Sequence, residues 1–389
     1  MGIMSLTAHP VLAEENLSVH SHSARESAMA LKPLPVDSPR FVYDSGLNFE
    51  YPDAVRGIYV TGHSAGGSRF DELMDLVDST DLNAMVIDVK DDWGNVTFKG
   101  KQDSSFAEIG KSYIQDPRAL LEKMEEKQVY PIARVVVFKD SILAKEEPEL
   151  SFKDDGKVWA NGRGESFVNP FLKEVWDYNV NIAIEAAKLG FQEIQFDYVR
   201  FPEGFENRDD QLEYGMGEYK DLEEDNVQKR VHAVTDFVAY AREKLKPYGV
   251  KVSVDIFGYT ATLPEAPGIG QNFSKISENV DVISSMIYPS HWTGYFGIEK
   301  PDLEPYKLVR EYAKVENKKL AELKDPPISR PWLQDFTASY LGSGNYQVYG
   351  KAEVEAQIKA LHDSGIHEYL LWNAGNTYSK GVDYTPDKE

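Results

Sequence analysis

The chain has 389 residues, 42% of them hydrophobic and 27% charged, with a formal net charge of −22 and no cysteine. That length supports a full hydrophobic core in one large domain or two small ones, and no apolar run approaches the length that spans a bilayer. The acidity offers no basic stripe for nucleic-acid phosphates, and the lack of thiols excludes disulfides, thiolate catalysis and zinc–cysteine sites.

Residues 1–50 are rich in Ser, His, Glu and Pro, have no sustained period and read as a disordered leader and linker. Val11-Leu12-Ala13 is either the end of a truncated, atypical signal peptide or part of a disordered tail. The first reading makes the protein exported, extracellular or at the cell surface. The globular part is expected over 51–380, with a short tail at 381–389.

From Val55 onward, buried strand and amphipathic helix alternate. The first strand, VRGIYVT (55–61), leads into Gly62-His63-Ser64-Ala65-Gly66, a letter-for-letter match to the G-x-S-x-G nucleophile elbow. The following helix, RFDELMDLVDST, is expected to start only at a Ser68-x-x-Asp71 capping box, too late for a working elbow, and no HGGG-type oxyanion segment precedes it. A serine esterase using Ser64 is therefore an alternative and not the main reading. AMVIDVK (84–90) follows, with Asp88 and Lys90 expected on one face; then come the helix PRALLEKMEEK and the strand YPIARVVVF (130–138). Residues 151–167 read as an inserted hairpin with an Asp-Gly turn, ahead of the helix 170–190 and the strand EIQFDYVRF (193–201). A long acidic loop, 203–226, comes next and is placed to act as a lid. The helix 227–249, the strands 251–259, 281–289 and 329–337, the helix 351–365 and the strand 368–374 complete the pattern, with Gly190, Gly249 and Gly365 where helix C-caps belong.

Eight strands alternating with helices fit a (β/α)8 TIM barrel or a doubly wound sheet. The barrel is preferred because polar residues mark the C-terminal end of every strand: Thr61, Asp88 to Lys90, Lys139-Asp140, Asp197 to Arg200, Asp255, Tyr288 to His291, Gln334-Asp335 and Trp372-Asn373. Barrel enzymes build their sites at these positions. None of His63, His232, His291, His362 and His367 forms an H-x-H or H-E-x-x-H pattern, so neither a metal nor another cofactor is expected. His63 is placed to line the pocket.

Period-two alternation puts Gln195, Asp197 and Val199 on one face of the fourth strand and Phe196, Tyr198 and Arg200 on the other. Burying Gln195 and Asp197 against helices is costly, so their face is expected to be the lumen near its open end. Asp197 and Asp255 then sit at neighbouring strand ends. Two such carboxylates suit glycosidic-bond cleavage, one attacking the oxocarbenium-like centre and a protonated partner donating to the leaving oxygen; adjacent strands favour the ~5 Å separation of retaining enzymes. Lys90, Arg134 and Arg200 are the cations available to hold Asp197 ionised, and the apolar run before Asp255 would raise its pKa. Trp93, Tyr198, Tyr288, Trp292, Trp332 and Trp372 offer rings for flat sugar faces, with Trp332 also readable as barrel core; Lys90, Gln334, Asn373 and His291 offer polar contacts.

RGIYVTGHSAGG, AMVIDVKDDWGNVTF, IARVVVFKD, NPFLKEVWDYNVNIAIEAAKLGFQEIQFDYVRFP, MIYPSHW and LLWNAGNTY together resemble the "Putative glycosyl hydrolase domain" family, first described as a bacterial domain of unknown function and more distantly similar to α-amylase-like barrels. The resemblance covers roughly 55–380, and IQFDYVRFP is its most specific piece. It implies a (β/α)8 barrel acting on a carbohydrate, with Asp197 at the nucleophile position of amylase-like barrels. Where those relatives have Glu on strand five this chain has Asp255, which leaves Asp88 and Asp335 as substitute acids. The resulting expectation is a retaining glycoside hydrolase of an oligo- or polysaccharide. Its rival is a catalytically silent carbohydrate-binding barrel at the cell surface.

Overall fold

The computed structural model describes residues 42–100, 106, 107 and 109–386; the signal-peptide-like stretch at 11–13 lies outside the described residues. Eight parallel strand positions form one closed sheet: β1 (Arg56–Val60), β2 (Ala84–Lys90), β3 (Tyr130–Val136), β4 (Glu193–Asp197), β5 (Lys251–Phe257), β6 (Val282–Met286), β7 in two pieces (Ile328–Ser329 and Trp332–Gln334) and β8 (Tyr369–Trp372). Each pairs with the next and β8 pairs with β1 from Arg56↔Tyr369 to Ile58↔Leu371, so no strand edge is left open. β7 breaks at Arg330-Pro331, where the proline has no N–H for the ladder.

Helices α1 (Arg69–Asp78), α2 (Pro117–Glu126), α3 (Lys173–Leu189), α4 (Asn226–Leu245), α5 (Phe273–Ser277), α6 (Pro305–Ala321) and α7 (Lys351–His362) occupy the seven connections between strands. The architecture is the expected (β/α)8 barrel. Gly190, Gly249 and Gly365 take φ of 120°, 68° and 78°, the left-handed conformation that ends a helix. Ser68 does not cap α1: it is already helical and makes no side-chain cap bond. A side-chain cap occurs seven residues earlier, on a separate one-turn helix, Gly62–Ala65, where the Thr61 hydroxyl accepts from Ser64 N–H at 3.1 Å.

Two apolar cores result. The larger lies between strands and helices, and a smaller one fills the lumen with Val55, Tyr59, Ala84, Val86, Tyr130, Ile132, Tyr288, Trp332 and Leu370. Below the lumen core, at the N-terminal end of the strands, fully buried Arg330 pairs with Glu193 (2.7 Å) and Glu368 (2.8 Å). Tyr51 hydroxyl donates to Glu368 (2.9 Å) and accepts from Arg330 (2.9 Å), so the chain ahead of β1 closes this floor. Residues 42–50, expected to be leader, join the same end: Glu50 N–H donates to Gln128 at 2.9 Å and Tyr43 N–H to the Pro247 carbonyl at 2.7 Å. In the expected tail, the buried Tyr384 accepts from Tyr369 hydroxyl through its carbonyl at 2.8 Å.

The hairpin after β3 pairs Lys153–Asp154 with Lys157–Val158, and Asp155 and Gly156 both have positive φ, as a type I′ turn requires. The acidic loop after β4 is docked on it. Phe205, Leu212 and Tyr219 are buried, Phe205 packs on Phe152 and Phe201, and Glu213 bridges to Lys153. The loop is thus packed on the hairpin, with Glu203 at its start lining the cavities of the mouth.

Candidate active site

The C-terminal ends of β2, β3 and β4 are tied together by one arginine. Arg134, at 1% exposure, donates from Nη1 to Asp88 (2.7 Å), from Nη2 to Asp92 (2.8 Å) and from Nε and Nη2 to Asp197 Oδ2 (3.0 and 2.6 Å). Burial opposes its charge, but the three carboxylates outweigh that and hold its pKa well above the usual value. Arg134 also lies over the Tyr59 and Trp372 rings, which stack on each other at 4.0 Å. It is thereby a positioning group, fixed by its own partners.

Asp197 ends β4, and its other oxygen, Oδ1, accepts the Tyr198 N–H at 2.6 Å. Tyr198 has φ of +52°, strained for a residue with a side chain, and this kink ends the alternation read from sequence. Tyr198 and Arg200, expected on the face opposite Asp197, therefore line the same pocket as Asp197. Arg200 does not pair with Asp197: it donates to Glu203 (3.2 Å) and the Phe201 carbonyl (3.1 Å), held between the Tyr198 and Phe257 rings.

Asp255 follows Asp197 around the barrel. Phe196 pairs with Val254, so the two aspartates are the next residues on adjacent strands. Asp255 is 1% exposed and its Oδ1 accepts from Trp332 Nε1–H at 2.8 Å. Burial first, and then the neighbouring Asp197 charge, push its pKa well above the carboxylate range. Asp88 is pushed up to about 6 by burial, against the pull of Arg134 and of the Tyr59 hydroxyl that donates to it at 2.6 Å.

The pocket holding Asp197 and Asp255, about 220 Å³, is also lined by Tyr288, His291, Trp332 and Trp372. It adjoins a cavity of about 630 Å³ on the side of Trp292, with which it shares Glu203, Phe257, Met286 and His291. Trp332 is buried in the lumen core and reaches the site through its N–H to Asp255.

Four expected contact residues are elsewhere. A bulge between Asp88 and Lys90 against β3 turns Lys90 outward, where it pairs with Asp140 at 2.6 Å and donates to Asn179 of α3 at 2.9 Å, fully buried. Gln334 is buried, donating to Asp302 (3.0 Å) and accepting from Ser290 N–H (3.0 Å). Asp335 accepts from Ser379 N–H (2.9 Å) and hydroxyl (2.6 Å), and Asn373 donates to the Asp335 and Thr377 carbonyls (2.6 and 2.7 Å). These three organise the loops after β7 and β8.

The G-x-S-x-G match has a packing explanation. A Cβ on Gly62 would lie 2.5 Å from Thr97 Cγ2, and one on Gly66 would overlap the Tyr113 carbonyl, so both glycines admit the neighbouring loop. A separate one-turn helix, Gly62–Ala65, stands directly after β1, whereas α1 starts only at Arg69, as late as expected. Among the described residues no hydrogen bond links the Ser64 hydroxyl to a histidine; His63 packs instead on Tyr113, in a recess of about 270 Å³ beside Asp88.

Three residues of the site carried no signal in the strand pattern. Asp92 lies two residues past β2 and also pairs with Lys139 at 3.3 Å; Glu203 and Arg163 come from loops and line the pocket. Asp92 lies in the recognisable segment AMVIDVKDDWGNVTF, two residues past its strand, and Glu203 directly follows VRFP at the start of the acidic loop.

A family described as "Putative glycosyl hydrolase domain" matches residues 57–378. A hypothetical protein from Ruminiclostridium thermocellum ATCC 27405 is 32% identical over 51% of this chain and 96% of its own, with a TM-score of 0.44. The PgaB (BpsB) glycoside hydrolase domain from Bordetella bronchiseptica superposes at a TM-score of 0.56, with 13% identity over 83% of this chain and 94% of that one. An alpha-amylase from Lactobacillus plantarum gives 0.51, with 16% identity over 83% and 71% of the two chains. These two likenesses concern the fold. No curated protein matches the chain significantly.

Proposed function

From the premise that this chain belongs to the "Putative glycosyl hydrolase domain" family, we propose that it hydrolyses a glycosidic bond with retention, using Asp197 as nucleophile and Asp255 as general acid and base. One observation carries this reading: two aspartates at adjacent strand ends share a pocket, one paired with a cation and the other pushed towards the protonated form. Strand spacing of roughly 5 Å suits the direct attack of a retaining enzyme better than an interposed water.

In the first half-reaction Asp197 Oδ1, which accepts only the Tyr198 amide, attacks the anomeric carbon while Asp255 gives its proton to the departing glycosidic oxygen. Trp332 occupies Asp255 Oδ1, leaving Oδ2 to carry that proton. The Arg134 guanidinium on Asp197 Oδ2 keeps the nucleophile ionised and aimed. In the second half, Asp255 takes a proton from water, whose oxygen displaces Asp197 from the sugar, restoring both carboxyl groups.

The test is a panel of polysaccharides and aryl glycosides assayed for new reducing ends, with the anomer of the first product read by NMR. Asp255→Asn should lose least on aryl glycosides with good leaving groups, which need no proton. Its retention of the wild-type pH profile on all substrates would remove Asp255 from the role, with Asp88, whose pKa is also raised, next in order. The burial of Asp255 favours a second reading, a binding barrel without catalysis; that protein would hold its glycan equally well after Asp197→Asn and never release reducing ends.

A further inference from the structure

The central pocket, about 220 Å³, is smaller than the ~300–1,000 Å³ typical of sites that enclose a ligand. It is flanked on both sides by further cavities. It shares Phe257, Met286 and His291 with the cavity of about 630 Å³ above β5 and β6, and Asp92 with the recess of about 270 Å³ above β1 and β2. In a closed eight-stranded barrel β1 stands opposite β5, and β2 opposite β6. The three spaces therefore lie in a line across the mouth, a trench in outline, with Asp197 and Asp255 in the middle one.

Both ends of the trench carry exposed rings. Among the described residues five aromatic side chains are conspicuously exposed, and three of them line the two outer cavities: Trp93 (54%) at one end, Tyr259 and Tyr295 (37% each) at the other. Trp292 backs Tyr295 edge-on at 5.2 Å and Phe257 stacks on Tyr259 at 5.5 Å, so that end is a braced platform. Exposed rings gathered along one line have a reason when a ligand with flat apolar faces covers them. At the β1–β2 end three carboxylates, Asp88, Asp91 and Asp92, have only Arg134 and Lys139 as ion-pair partners among the described residues, and Arg134 is shared with Asp197, so this end keeps a surplus of negative charge that disfavours carboxylated sugars.

We propose that the trench holds a neutral or amino-sugar glycan chain with units on both sides of the scissile bond, so that the chain is cut internally. This rests on the catalytic reading of Asp197 and Asp255. The test follows viscosity and reducing ends together on starch, galactomannan, partially deacetylated chitin and polygalacturonate. On a polymer that is cleaved, viscosity should collapse while few reducing ends have formed. Trp93→Ala and Tyr295→Ala should each raise KM for that polymer about 3- to 10-fold, the loss of one stacking contact. Release of mono- or disaccharide at constant viscosity, or a preference for polygalacturonate, overturns the trench and leaves the hydrolase standing. If no polymer is cleaved, the hydrolase reading fails, and electrophoresis through gels cast with the same polymers decides the trench separately. Retardation that weakens in both variants sustains it; no retardation overturns it.

Discussion

Each end of the barrel carries one buried arginine among carboxylates, and the two clusters are built to different ends. At the floor, Arg330 meets Glu193 and Glu368, Ser253 hydroxyl donates to Glu193 at 2.5 Å, and Tyr51 covers the group from outside. Every charge there faces a partner and none lines a cavity among those described. At the mouth, Arg134 meets Asp88, Asp92 and Asp197, while Asp255 stands beside them without an ion pair among the described residues; Arg134, Asp92, Asp197 and Asp255 border one open pocket and Asp88 the recess next to it. Burial, ion pairing and more than one carboxylate per buried arginine are common to both; what marks the mouth is that its charged groups face a space a ligand can enter. Barrels place stability at the N-terminal face and chemistry at the C-terminal face, and the contrast follows that division.

The sharpest test of the contrast is Asp197→Asn. It should remove about 10³-fold or more of kcat with a much smaller effect on Tm, because the nucleophilic oxygen is lost while Arg134 keeps Asp88 and Asp92 as partners. A large Tm loss with proportionate activity loss would make the mouth cluster as structural as the floor.

Arg330→Met should do the reverse. Leaving Glu193 and Glu368 buried without their cation costs about 3–5 kcal/mol in denaturant unfolding, and the protein that remains folded should keep its kcat. A stable variant with lost activity would break the comparison.

The mouth should also betray itself in pH. Asp88 has a folded pKa of about 6 against a usual value of 3.8, so between those two pH values the folded state holds a proton the unfolded state has released. Stability from this group is therefore complete below about pH 4 and is lost as pH rises towards 6, by about 3 kcal/mol. Unfolding measured across that window should show wild type losing stability relative to Asp88→Asn as pH rises. Parallel curves would mean that Asp88 ionises normally.

Tyr51→Phe is the smallest expected effect. It removes one hydroxyl bridging Arg330 and Glu368, a loss of about 1–2 kcal/mol seen in thermal or urea melts, with catalysis untouched. A change in KM would connect the floor to the site.

Much of this was legible in the residue order. Strands such as AMVIDVK are buried on both faces and read as continuous apolar runs, so eight of them alternating with helices point to a closed parallel sheet. Asp197 and Asp255 stand out because a carboxylate inside such a run needs a reason to be there. The contacts of the other site residues were decided in three dimensions. The bulge after Asp88 sends Lys90 to the helix layer, and the positive φ of Tyr198 brings Tyr198 and Arg200 round to the pocket against the period-two pattern. Gln334, Asp335 and Asn373 sit at strand ends as catalytic groups would, yet their partners are loop atoms at Asp302, Ser379 and Thr377. Tyr51 carries no signal of its own at the start of the globular part until Arg330, 279 residues away, is beside it. Periodicity reports only which side of a regular strand a residue occupies; bulges, kinks and pairings across the barrel depend on partners distant along the chain, and those decide which polar groups are satisfied and which remain for a substrate.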